Sequence, residues 1–380
     1  MKPAQVGSAY TVYRKGIPMA QNPQDENSII GQLRRNKGAA ALIAAVVAVI
    51  LLLFAWTGGW FGGRLGPGKI TDALQVHDGL HDGFRRAHTK GYCFTGHFDG
   101  NGQGARLSVA NVFAQGQSGV IGRFSTGGGM PDSPDGRLVF RAIALSITSP
   151  NGEVWRTAMD STAVFPVATP EAFMAFVQAT SPGADGKPDP AKVGPYMAAH
   201  PETLAFVKYL KDQPLASSFV NTRYYSINAF GFVGGDGQTR FVRWSLDPTA
   251  TPEWMDKENL AKMPRDFLFD DLIKRAAEGP LTWDMSVQLA AAGDKTNDAT
   301  VQWPDDRESV KVGRLTIDHL VTEDEGPCRD INFDPLALPT GIKGSDDPLL
   351  AARSAVYSSS FRRRAAEGPR PSFAKEPHHD

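Results

Sequence analysis

The longest run of a single character in this chain is apolar. Gly38 to Trp56, GAAALIAAVVAVILLLFAW, carries no charge. A helix needs about 20 apolar residues to cross a bilayer, so the pattern predicts a transmembrane helix over 38–57. Trp56, Trp60 and Phe61 suit an interfacial belt. Arg34, Arg35 and Lys37 abut the N-terminal side, which places that side in the cytoplasm. No A-x-A cleavage signal follows the run. Residues 1–37 are polar and aperiodic and read as a disordered cytoplasmic tail. Residues 58–68 read as a Gly-rich linker.

Beyond residue 69 the pattern breaks into short elements. Ile70, Leu74, Leu80 and Phe84 predict one or two short helical turns within 70–87. Arg137 to Thr148 reads as an apolar strand, followed by a turn at Asn151-Gly152. Pro170 opens a helix, a Pro/Gly/Asp-rich loop spans 181–194, and Pro201 opens another helix through Leu204 to Leu210. Asn221 to Pro248 is a hairpin about Gly234 to Gly237. Phe267 to Ala277 is a helix closed by Gly279-Pro280. Leu281, Trp283, Met285, Val287 and Leu289 alternate on a half-buried strand, and Arg314 to Leu320 reads likewise. Ser345 to Arg364 is a final helix, with Ser345 and Asp346 as caps and Pro348 in its first turn. Antiparallel strands with inserted and appended helices predict the α+β class: a closed antiparallel barrel flanked by helices, over 69–365. The polar, Pro-bearing end, 366–380, reads as a disordered tail.

Composition narrows this only a little. The chain has 380 residues, 41% hydrophobic and 21% charged, which is globular usage. The net charge of −1 gives no basic field for nucleic acid. Cys93 and Cys328 are too few for a disulfide scaffold or a four-ligand zinc site. One disulfide or two free thiols both remain open.

The last helix carries the candidate chemistry. At about 100° per residue, Arg353 and Tyr357 lie one turn apart, and Arg364 returns to nearly the same stripe. A phenolate can ligate ferric haem. A phenol is un-ionised at neutral pH, so a ligating one needs a cation beside it, and Arg353 is placed to supply it. Arg364 is placed to pair with a haem propionate. The same spacing also describes a basic end-helix with an incidental tyrosine.

Three segments together change that balance. FDPLALPTGIKGSDDPLLAARSAVYSSSFRRR resembles the proximal-helix region of the catalase family, in particular the short bacterial catalase-related peroxidases. FRRAHTKGYCFTGHFDG resembles that family's R-x-x-H-x-x-G segment, with Arg85, His88 and Gly91 in matching places. GVIGRFSTGGG resembles its R-F-S-T strand. The resemblance implies Tyr357 as ligand of a b-type haem iron (haem b), with Arg353 beside it. It implies His88 as the distal acid/base, Ser125 as its hydrogen-bond partner, and Arg85, Arg123 and Arg364 on the propionates.

Two positions depart from the family. Aligned on Val164-Phe165, Ser161 stands where catalases place a distal Asn, preceded by Asp160. Asn228 stands where they place a His. The Ser161 departure predicts weak dismutation of hydrogen peroxide. His97 reads as a surface or core residue, and Arg362 and Arg363 as solvated charge. The wrapping segments and flavodoxin-like domain of large catalases have no counterpart, so NADPH is not implied.

The expected function is a haem peroxidase of the inner membrane. It would have a single span, with its catalytic domain in the periplasm. It would reduce organic hydroperoxides or hydrogen peroxide with an organic electron donor, in oxidative-stress defence. A haem hydroperoxide isomerase or dehydratase, which consumes no donor, is one alternative. A non-catalytic, membrane-tethered haem-binding module is the other.

Overall fold

The computed structural model describes residues 36–57, 65–137 and 139–368. It divides into a unit ending at Arg64 and a body from Leu65. The expected tail at 1–35, most of the linker (58–64) and the end at 369–380 lie outside the described residues.

In the first unit, helix α1 spans Lys37–Thr57 and is long and apolar enough to cross a membrane. Leu42, Ile50, Leu53, Phe54 and Trp56 all stand exposed along it. Water does not favour such a surface, and lipid does.

The body is built on a sheet that closes on itself. Its strands are β1 Gly91–Gly100, β2 Gly116–Thr126, β3 Arg141–Thr148, β4 Val154–Asp160, β5 Leu215–Ala216, β6 Tyr224–Tyr225, β7 Phe230–Val233, β8 Thr239–Pro248, β9 Trp254–Met255, β10 Leu281–Leu289, β11 Ser309–Val321 and β12 Ile342–Gly344. The neighbour order is β10-β11-β1-β2-β3-β4-β6-β8, and β8 pairs back onto β10 to complete the ring. All these ladders are antiparallel. Strands β7 and β12 extend from β8, and β5 pairs with β9 apart from the barrel. The helices of the body are α2 Pro67–Asp78, α3 Pro170–Thr180, α4 Pro190–Ala199, α5 Pro201–Asp212, α6 Phe267–Glu278 and α7 Pro348–Ala366.

The inward faces fill the barrel. Phe94, Phe98, Phe124, Ile143, Leu145, Trp155, Leu246, Trp283 and Leu315 are fully buried there and pack as one cluster. A barrel of this size is a packed core rather than a channel. Any site must therefore lie on its outer face or at a rim.

The elements differ from the sequence reading in several places. Strand β1 was not foreseen. Helix α2 is longer than one or two turns. Helix α4 begins inside the expected loop, with the Asp189 carboxylate accepting from the Ala191 N–H and Pro190 at the first position. Asp347, rather than Ser345 or Asp346, caps α7: its Oδ1 accepts from the Leu349 N–H at 2.9 Å.

Candidate active site

The outer face of β2, β3 and β4 is the floor of a cleft. Strand alternation sets it up. Phe124 points into the barrel, so Arg123 and Ser125 point out. Ile143 points in, so Ala142 and Ala144 point out. Trp155, Thr157 and Met159 are buried, so Ala158 and Asp160 lie on the other face. The register aligns these in two rows: Ser125, Ala142 and Asp160, then Arg123, Ala144 and Ala158. Ala142 leaves room between Ser125 and Asp160, and Ala144 and Ala158 leave room beside Arg123.

Helix α7 contributes Arg353, Val356, Tyr357, Ser360, Phe361 and Arg364 to the cleft, and Leu74, Asn332, Phe333 and the segment from Arg85 to His88 complete it. The space is about 780 Å³ including its open mouth.

His88 holds an uncommon backbone conformation, with φ at 52°. A non-glycine residue there is strained, and such strain persists only where its surroundings impose it. Arg123 imposes it. Its Nη1 donates to the His88 carbonyl at 2.7 Å and its Nη2 to the Thr89 carbonyl at 2.8 Å. Nη2 also pairs with Glu323 at 2.7 Å, both side chains being almost wholly buried. Gly91 makes this possible: a Cβ there would collide with the Arg123 guanidinium and the Phe124 carbonyl.

The His88 Nδ1 lies 3.4 Å from Ser125 Oγ, and the ring also bonds to the Thr126 backbone. Burial holds the His88 imidazole below its usual range, against the opposing pull of the Asp160 charge. Burial pushes the Asp160 carboxyl up, against the His88 and Arg353 charges.

On α7, Arg353 donates to Asn228 Oδ1 through Nη1 and to the Ala158 carbonyl at 3.4 Å through Nη2. Asn228 in turn donates to Asp347 Oδ2 at 2.8 Å. The helix cap, the strand β4 carbonyl and the arginine one turn before Tyr357 are thus one connected set. The remaining arginines meet a single loop. Arg85 donates to the carbonyls of Cys328, Arg329 and Ile331. Arg364 donates to the Arg329 carbonyl at 2.6 Å. A Cys93–Cys328 disulfide ties that loop to β1, which decides the alternative that composition left open.

The structure thus gathers Arg85, His88, Arg123, Ser125, Arg353, Tyr357 and Arg364 into one cleft. Ser161 is the exception and a correction. Its Oγ accepts from the Arg141 N–H at 3.1 Å and its N–H donates to the Arg141 carbonyl at 2.8 Å, which extends the β3–β4 ladder by a step. Asp160 occupies the cleft instead. The alternation of Trp155, Thr157 and Met159 carried that signal. His97 sits between Asp99 and Asp318 on the barrel surface. Arg363 is not simply solvated charge: it pairs with Asp72 of α2 at 2.6 Å.

A family model described as Catalase matches residues 77–370. The chain belongs to the catalase family. Curated relatives include a catalase-related peroxidase of Synechococcus elongatus, 35% identical over 78% of this chain and 88% of that one. A catalase-related peroxidase of Mycolicibacterium paratuberculosis is 32% identical over 80% of this chain and 96% of that one. The catalase of Sus scrofa is 24% identical over 80% of this chain and 61% of its own length. The crystal structure of a fungal catalase superposes with a TM-score of 0.67 at 20% identity, covering 74% of this chain and 59% of that one. This likeness agrees with the catalase-like barrel expected from sequence.

Members of the catalase family bind haem, and the donor set of the cleft fits one. It offers a phenol for ferric iron, apolar side chains for the faces of the ring, and guanidinium groups for carboxylates. Arg123 and Arg85 are the partial misfits: the donors of Arg123 are committed to the His88 segment and Glu323, and those of Arg85 to the carbonyls of Cys328, Arg329 and Ile331.

Proposed function

We propose that the protein is a membrane-anchored haem peroxidase that reduces organic hydroperoxides or hydrogen peroxide with an organic donor. The observation that carries this reading is the cleft, which brings Tyr357 of the last helix and His88 of the strained R-x-x-H turn together. The relatives called catalase-related peroxidases support the reaction class. Haem b, when bound, would supply the electrons that break the peroxide O–O bond. Tyr357 would hold its iron through the phenolic oxygen, with Arg353 beside it. Arg85 and Arg364 would meet its propionates, while Arg123 acts chiefly by fixing His88. Burial lowers the His88 ionisation, which favours the neutral ring that could take the proton from the inner peroxide oxygen, as general base catalysis requires.

Helix α1 would span the inner membrane once, with the body in the periplasm and peroxide defence outside the cytoplasm as its role. The Cys93–Cys328 disulfide supports that side, since disulfides persist in oxidising compartments. The test is absorption spectroscopy of the haem-loaded protein with and without an organic hydroperoxide, together with donor consumption. Donor oxidised in proportion to peroxide supports the reading. Peroxide rearranged without donor would make the protein an isomerase or dehydratase, and a spectrum indifferent to peroxide would make it a haem-binding module.

A further inference from the structure

Asp160 is a cleft residue to which the motifs of the sequence assign no role. A carboxylate is costly to bury unless it is paired or hydrogen-bonded. Asp160 Oδ1 is buried with no hydrogen-bond partner among the described residues, and the side chain lines the cleft with His88. The strand would accept a small apolar residue there, as it does at Ala158. The register fixes its place. Asp160 shares a row with Ser125, two strands away across Ala142. At the spacing of neighbouring strands that is about 10 Å between backbones. Ser125 contacts the His88 ring, so imidazole and carboxyl reach into one space from the two ends of the row.

We propose that Asp160 is a second proton-transfer residue, which donates the proton that the departing alcohol or water needs when His88 has taken the first. This rests on the peroxidase reading above. In the step, the inner peroxide oxygen would lose its proton to His88, and bound haem would supply the two electrons with which the O–O bond breaks. The outer oxygen leaves as an alcohol, or as water from hydrogen peroxide, carrying the Asp160 proton. His88 ends as imidazolium and Asp160 as carboxylate, and transfer of a proton between them resets the pair.

The charged groups that act on the pair are consistent with this. His88 and Arg353 act on Asp160, Asp160, Arg123 and Arg353 act on His88, and the Tyr224 phenol lies within reach of the Asp160 charge. Burial keeps Asp160 protonated to higher pH and His88 neutral to lower pH than either would be in water. Both shifts favour the starting state the step requires, a protonated Asp160 beside a neutral His88. An Asn at this position could hold a peroxide but could not give up a proton to it.

The experiment uses the haem-loaded full-length protein and the variants Asp160→Asn and Asp160→Glu. Peroxide cleavage is followed by stopped flow with an alkyl hydroperoxide and with a peracid. An alkoxide leaving group needs a proton, whereas a peracid's carboxylate leaves without one. Asp160→Asn is expected to slow alkyl hydroperoxide cleavage by ~10²–10⁴-fold, the usual worth of general acid catalysis, and peracid cleavage far less. Asp160→Glu is expected to restore much of the loss.

A second readout does not depend on turnover. The infrared stretch of carbon monoxide on the reduced protein senses charge in the cleft. It is expected to change as Asp160 loses its proton with rising pH, and Asp160→Asn is expected to lack that transition. Equal slowing on both substrates with that transition still present in Asp160→Asn overturns the proton role. Wild-type protein that binds haem but cleaves neither substrate overturns the peroxidase reading and this one together.

Discussion

His88 shows how much of this site is set by a single residue's backbone. Its left-handed conformation is held by Arg123, which reaches it only because residue 91 has no side chain. The three motif residues Arg123, His88 and Gly91 are therefore one mechanical unit. If His88 is the base, His88→Ala slows peroxide cleavage by ~10²–10⁴-fold while haem stays bound, as stopped flow and the absorption spectrum would record. Burial lowers the His88 ionisation, so the base remains neutral below the ordinary histidine range of ~6.5. The acid limb of kcat/KM is then expected below that value, and a limb above it would contradict the assignment. Tyr357→Phe removes the only phenol of α7 and is expected to abolish haem retention, read from the absorption spectrum of the purified variant. The side chains expected at the site line the cleft, apart from that of Ser161. The sequence led to Ser161 because a family position was transferred by alignment on Val164-Phe165. The strand's own alternation, with Trp155, Thr157 and Met159 inward, puts Asp160 on the cleft side and leaves Ser161 to the Arg141 backbone.

At the scale of elements, the cleft is a joint between the sheet, α7 and the loop that holds Cys328. That loop has no regular structure between β11 and β12, apart from turns, yet it accepts hydrogen bonds from Arg85 and Arg364. Two fixings hold it: the disulfide to Cys93 and the buried Arg123–Glu323 pair. Removing one partner of a buried pair leaves an uncompensated charge, at a cost of ~3–5 kcal/mol. Glu323→Ala is expected to destabilise the body by about that much in a denaturant titration, and to lower haem affinity because the His88 turn loosens with it. A loss of only a few tenths would show that Arg123 finds other partners. The pattern of the sequence hid β1 for a related reason. Both faces of that strand are covered, with Cys93 and Phe94 adjacent and fully buried, so no alternation appears. Helix α4 escaped notice because Tyr196 is its only buried residue. Strand β10 and helices α5 and α6 were legible, since each turns one face to the core and a more open one outward; β8 was legible from the turn before it, although Val242 to Leu246 are all buried.

For the whole molecule, the anchor and the disulfide make one joint prediction. Helix α1 carries its apolar surface to the outside, and the basic residues before it favour a cytoplasmic N-terminus. The body would then mature where thiols oxidise. The disulfide joins positions 235 residues apart, and a native disulfide is typically worth ~2–5 kcal/mol. A body confined to a reducing cytoplasm by deletion of 1–57 should therefore keep both thiols open to alkylation and unfold at lower temperature than the exported chain. Oxidising it after purification should recover the difference. A reporter active only in the periplasm, fused after residue 70, should give signal, and one fused before residue 30 should not. The two measurements fail in different ways. An inverted reporter pattern would overturn the topology alone. Fully reduced cysteines in the exported chain would mean that the Cys93–Cys328 link is not part of the working protein, and that the loop carrying the Arg85 and Arg364 contacts is held by Glu323 without it.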